Sequence, residues 1–290
     1  MSGTTMPEDT RTYYGRPVVK EPVWEPTIAA YLFTGGLAGA SAGLALAARL
    51  AGREELARRC SLAATCAAAV SPPLLIEDLG RPDRFHHMLR VFKVTSPMNV
   101  GTWILSAFGA ASGLASACEV TGRLKPAGRA AEGVAAALGM PLATYTAALL
   151  ANTSIPAWHE ARRLLPFVFA GSSAATAGAM GSLLTEGDEG RMARHLAIGG
   201  AVAEVGLSQL MERRLGDAGA PYREGRSGLC MRAAAGCTVG GAAALAAALA
   251  AGRASRPLEV AGAALVLGGG ALERVGIWAA GRASARRTVR

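Results

Sequence analysis

The feature that most restricts this chain is where its charges are missing. Six stretches carry none: Thr27–Ala48, Cys60–Ile76, Val94–Cys118, Gly133–Trp158, Leu164–Thr185 and Ala233–Gly252. Two more are nearly bare: Leu196–Met211 holds only Glu204, and Leu258–Gly281 holds Glu259 at its start and Glu273 and Arg274 near its far end. A helix rises 1.5 Å per residue, so about 20 apolar residues cross the ~30 Å hydrocarbon core of a bilayer. A soluble helical bundle would carry charge along one face of each helix at 3.6-residue spacing. The pattern predicts an all-α integral membrane protein with eight transmembrane helices.

Small residues crowd the spans, as in "TGGLAGASAG" and "AGSSAATAGAMGS". In lipid they let helices approach closely, so glycine does not argue against helix here. One domain over 1–290 is expected, with a polar N-terminal segment, 1–26, and a basic tail, 282–290. The start, "MSGTTMPEDTRTYYGRP", lacks the apolar core of a signal peptide, so the first span is expected to serve for targeting. The net charge is +9, and its basic residues flank spans, as suits anionic headgroups. Nucleic-acid binding needs a basic face on a folded domain, and none is seen. The five cysteines form no CxxC pair, so neither zinc nor an iron–sulfur cluster is expected.

An even number of spans puts both termini on one side, here side A, with the loops Asp78–Lys93, Thr153–Arg163 and Glu212–Arg232. Side A carries Tyr13, Tyr14, Trp24, "EDLGRPDRFHH", "SPMN", "NTSIPAWHE" and "PYREGR". Side B carries mainly scattered arginines with a few acids. Arginines flank spans on both sides, so the positive-inside count does not orient the protein.

The stretch "LLIEDLGRPDRF" concentrates charge where a span stops. Asp78 closes span two. Pro82 pushes Arg81 out of the helical region, which ends the helix and can aim the guanidinium across the helix ends. Tyr31 lies about one turn into span one, and Tyr145 lies roughly 10 Å below Asn152 on one face of span four. Glu204 is the one carboxyl expected near mid-membrane. All four histidines, His86, His87, His159 and His195, sit at span ends or in loops, which excludes a di-haem cytochrome. Converging polar groups of this kind could hold a quinone headgroup, with Tyr31, Tyr145 and Arg81 donating hydrogen bonds and Asp78 or Glu204 exchanging protons. Plainer readings stand beside this one. Asp78 and Arg81 could be a local ion pair, Trp24, Tyr31 and Tyr145 interfacial anchors, His159 a solvated loop residue, and Glu204 a protonated carboxyl bonded to backbone.

Three segments carry a resemblance: "YYGRPVVKEPVWEPTIAAYLFTGGLAGA", "IEDLGRPDRFHHMLRVFKVTSPMNVGTW" and "YTAALLANTSIPAW". "RLLPFVFAGSSAATAGAM" and "ALERVGIWAAG" look like the fifth and eighth spans of the same family. The chain resembles the NrfD family, the polysulfide-reductase-type membrane subunit, over nearly its whole length. The resemblance implies a haem-free, eight-span subunit of the bacterial or archaeal cytoplasmic membrane. Its partners would be a four-cluster, ferredoxin-like iron–sulfur subunit and a molybdopterin catalytic subunit. It would exchange electrons with menaquinone or ubiquinone and hold no redox centre of its own. Carried over, Asp78 and Arg81 lie near the quinone pocket, Tyr145 matches its span-four tyrosine, and Glu204 resembles a span-six proton-route glutamate. Tyr31 stands where some relatives have histidine, and "YTAALL" replaces a usual glycine. Trp24, Arg84, Trp158 and His159 are the candidates for partner docking. The rival readings are a transporter or proton-translocating protein without a redox partner, and a purely structural anchor. Relatives serve formate, polysulfide, thiosulfate, nitrite and hydrogen, so the catalytic partner decides the substrate.

Overall fold

The computed structural model describes residues 22–79, 81–251 and 256–287, which leaves Tyr13 and Tyr14 outside the described residues. Eight long helices dominate: α1 (Thr27–Leu50), α2 (Glu54–Glu77), α3 (Pro97–Thr121), α4 (Lys125–Ala151), α6 (Leu165–Leu184), α7 (Arg191–Arg214), α9 (Gly225–Ala251) and α10 (Arg256–Arg287). Two short ones, α5 (Pro156–Glu160) and α8 (Ala220–Arg223), sit in connections. There is no strand among the described residues.

Seven helices are long and apolar enough to cross a membrane: all the long ones except α7. At 24 residues α7 has the length. It falls short in hydropathy because it opens on Arg191, Arg194 and His195, ends on Glu212, Arg213 and Arg214, and carries Glu204 between.

Local chemistry explains the ends. The Ser96 hydroxyl accepts the Asn99 amide at 3.4 Å, Pro97 occupies the first helical position, and Gly122 ends α3 at φ 67°, where a Cβ would be strained. At the end of α2, Arg81 adopts φ −140° and ψ 82°, the extended geometry expected of the residue before Pro82. The basic run read as a tail is helical as far as Arg287, whose guanidinium reaches Glu224 at 2.6 Å.

The small residues sit where helices cross. The backbones of Gly39 in α1 and Gly139 in α4 press together so closely that a Cβ on either would strike the other's carbonyl. Gly200 of α7 meets the backbone of Ala175 in α6 in the same way. α1 and α6 are central, α1 packing on α2, α4, α6 and α10, and α6 on α1, α4, α7 and α10.

The side-B arginines are not scattered. Arg49 at the end of α1 binds Glu54 at 2.5 Å, Glu119 at 3.3 Å and Glu132 at 2.6 Å, tying α1 to α2, α3 and α4. Arg194 and Arg256 share Glu259 at 2.7 Å and 3.3 Å, tying α7 to the start of α10. Glu132, Arg194 and Glu259 are all buried.

Candidate functional site

The site residues fall into two groups, one at the side-A end and one inside the bundle.

At the side-A end, Asp78 follows the last residue of α2, and its Oδ1 accepts the backbone N–H of Glu25 at 2.7 Å. The partner is thus the segment ahead of α1 and not Arg81, which is exposed. Partial burial raises the Asp78 pKa, and the Glu25 carboxylate adds to this; the Glu25 amide opposes it. Tyr31 is fully buried, and its hydroxyl has no hydrogen-bond partner among the described residues. Below it, the Thr34 hydroxyl pairs with that of Ser71 at 2.9 Å, joining α1 to α2. Tyr145 is half-buried, and its ring fills the space left by the missing side chain of Gly101 in α3. Tyr31 belongs to the main apolar core, together with Leu75, Leu105 and Leu150, and Tyr145 packs against that core. Tyr145 thus packs between α4, α3 and that core.

The docking candidates separate. Arg84 is exposed, with only a 3.9 Å approach to Asp83. His159 is exposed, with Nδ1 at 3.3 Å from the Ala151 carbonyl. Trp24 is half-buried and stacks on Trp158 with centroids 5.5 Å apart. Trp158 itself corrects the expectation of a docking side chain. It is fully buried, its indole N–H donates to the Ile277 carbonyl at 2.8 Å, and its ring lies against Gly281, where any side chain would collide with it. Trp278 completes the joint by donating to the Trp24 carbonyl at 3.1 Å. Tyr222 is also sealed in here, donating to the Ala157 carbonyl at 3.1 Å.

Inside the bundle, Glu204 is not alone. Its Oε1 accepts from Thr238 of α9 at 3.1 Å, while Oε2 is buried with no partner among the described residues. The Ser172 hydroxyl of α6 lies beside both Glu204 and Glu273. Glu273 accepts from Arg274 at 2.6 Å and from Ser208 of α7 at 3.3 Å. Arg274 donates to the Phe169 carbonyl at 3.3 Å and reaches the Ser173 hydroxyl at 3.5 Å. When ionised, the three side chains carry one more negative than positive charge, so the cluster is neutral with one proton bound. Such an arrangement can hold and pass a proton. Sequence reasoning missed this grouping because it stopped span eight at Gly281. With α10 running to Arg287, Glu273 and Arg274 move from the end of a span to its interior. A carboxylate beside an arginine inside an apolar run was the available signal.

Among the described residues no group of His, Cys, Asp or Glu could hold a metal ion. The family model for polysulphide reductase NrfD matches residues 17–195, more than half of the 290-residue chain. No curated protein matches the chain. The matched region contains the Asp78 turn, Tyr31, Tyr145 and the Gly39–Gly139 crossing, and on that footing the chain belongs to the NrfD polysulphide reductase family.

Proposed function

We propose that this chain is the haem-free membrane anchor of a multi-subunit oxidoreductase, passing electrons between an iron–sulfur subunit docked on side A and the quinone pool. A molybdopterin subunit would supply the terminal chemistry, and the assembly would sit in a bacterial or archaeal cytoplasmic membrane. The observation that carries the reading is the Tyr31 hydroxyl, enclosed with no partner among the described residues in the core that also receives Tyr145, at the end closed by Asp78. A buried hydroxyl left unpaired is costly, and a ligand carbonyl would satisfy it. A bound quinone supplies two-electron, two-proton chemistry. Tyr31 would donate to it, Tyr145 would wall the pocket, and Asp78 would exchange the proton.

We take α7 as the eighth span. Its inward charges are partnered within the chain, Arg194 by Glu259 and Glu204 by Thr238, so its low hydropathy reflects buried polar contacts and not exposure to lipid. The Trp278–Trp24 bond supports placing the start of α1 and the end of α10 on one side.

Proton translocation is a second reading, favoured by one observation: the Glu204–Ser172–Glu273–Arg274 grouping lies within the bundle. The test is purification of the tagged chain from its native membrane in mild detergent, with mass spectrometry of what accompanies it. Recovery of a four-cluster iron–sulfur protein and a molybdopterin subunit supports the anchor. A chain that emerges alone under several mild conditions, and binds no quinone, overturns it.

A further inference from the structure

The connection from α2 to α3 leaves much apolar surface outside the bundle. It runs as a 3-10 helix, Pro82–Leu89, and then as an irregular turn up to Ser96, the cap of α3. Phe85, Leu89, Val91, Phe92 and Val94 are exposed, Val91 by 66%, Phe92 by 59% and Val94 by 74%. They are held out, because the Asn99 side chain of α3 grips the turn twice: Nδ2 donates to the Met88 carbonyl at 2.6 Å and Oδ1 accepts the Lys93 amide at 2.7 Å. Interleaved with them over 81–94 are Arg81, Arg84, Arg90 and Lys93, all exposed, against the one acid Asp83. The Phe92 ring meets Trp103 of α3 edge-on, with centroids 6.2 Å apart. Trp103 heads an outward face of α3 that continues through Ala107, Ala110, Leu114 and Ala117 at helical spacing, all exposed and uncharged. α3 is one of the seven helices apolar enough to cross a membrane, so this face is the one turned to lipid.

We infer that Phe85–Val94 is a foot set into the side-A surface of the bilayer, where it binds anionic phospholipid. Val91, Phe92 and Val94 enter the edge of the hydrocarbon beside Trp103, and Arg90 and Lys93 hold headgroup phosphates. The inference needs only that α3 spans the membrane and is independent of the quinone reading. Three observations choose this occupant over water or a protein. The first is depth. The 25 residues of α3 run about 37 Å at 1.5 Å each, against a hydrocarbon core of ~30 Å, so its first turn stands in the headgroup layer. Trp103 lies roughly 9 Å along α3, near the boundary where indole rings settle, and Phe92 lies against it. The second is position. A protein docked on the side-A end would cover the Trp24–Trp158 stack, whereas Phe92 lies on the flank of α3 that its exposed stripe gives to lipid. The third is charge. Large apolar side chains interleaved with basic ones suit a bilayer surface, and four basic residues less one acid leave the stretch three positive charges in excess. An anionic headgroup neutralises that excess and a zwitterionic one does not.

The experiment uses the full chain in nanodiscs. Phe92→Trp and, separately, Val91→Trp each add one indole to the four of the parent, whose emission is subtracted. Both new indoles are expected to be quenched by phospholipid brominated on its acyl chains and shielded from iodide in the water. Quenching by iodide and not by bromolipid overturns the foot by placing it in water. Quenching by neither overturns it by showing the ring covered by protein. The headgroup is tested by native mass spectrometry of chain released from discs holding equal phosphatidylglycerol and phosphatidylcholine. The parent is expected to retain phosphatidylglycerol in preference, and Arg90→Gln with Lys93→Gln to lower that preference about tenfold. Arg123→Gln with Arg129→Gln, exposed on side B, remove the same charge and are expected to leave the preference unchanged. No preference in the parent, or an equal loss in the two pairs, overturns the anionic site.

Discussion

The guanidinium of Arg274 lies 3.7 Å from the centroid of the Phe169 ring. That contact, with the Glu273 carboxylate bonded at 2.6 Å, holds a cation in the core where none would persist alone. Arg274→Met would leave Glu273 and Glu204 buried with no cation beside them, a loss of about 3–5 kcal/mol for a broken buried pair. The expected result is a collapse in folded yield and melting temperature, measured by tryptophan fluorescence in detergent. Adding Glu273→Gln should restore most of it, because the pair is then removed as a unit. A single variant that melts like the parent would refute the account.

Glu204→Gln keeps the side chain's shape and an oxygen for the Thr238 bond while removing the proton site. Assembly is expected to be intact and proton-coupled turnover to fall at least several-fold. Full turnover with normal proton uptake would remove Glu204 from any relay.

Asp78 titrates above the ordinary aspartate value of about 3.9 because burial disfavours its charge. If the carboxylate is the working form, quinol oxidation falls as pH drops through that raised value, not through the free one. Asp78→Asn should abolish turnover and leave subunit assembly unchanged. A parent profile flat to well below pH 4, or normal turnover in the variant, would contradict the role.

Gly39 and Gly43 lie one turn apart on α1 with opposite surroundings. A Cβ at Gly39 strikes Gly139, whereas one at Gly43 meets nothing within 4 Å. Gly39→Val is expected to part α1 from α4 at a cost of about 1–3 kcal/mol or more, and Gly43→Ala to be neutral or mildly stabilising. Thermal melts of the two variants decide this; equal melting temperatures would show that the crossing does not govern packing.

The helical class and the family were legible because missing charge and the Asp78 turn are local signals. The stop at Arg81–Pro82 followed from proline stereochemistry and is seen in the backbone. Trp158 was read as a docking residue because a buried tryptophan just past a span end has the same sequence surroundings as an exposed one; only the approach of Gly281, 123 positions on in the chain, encloses it. Arg49 and its three acids were read as scattered side-B charges because Glu119 and Glu132 meet Arg49 only through tertiary packing. α7 falls below the other long helices in hydropathy although its buried Arg194 and Glu204 are met by Glu259 and Thr238 of other helices, partners that no local pattern reveals.

The Arg49 cluster also bears on the order of synthesis. Arg49 leaves the ribosome with Glu54 close behind, but Glu119 and Glu132 follow roughly seventy to eighty residues later. Until α3 is made the guanidinium has only Glu54 of its three carboxylates, and until α4 is made it still lacks the buried Glu132. The tie of α1 to α4 is therefore the last of the three that the growing chain can complete, a latch that cannot engage early.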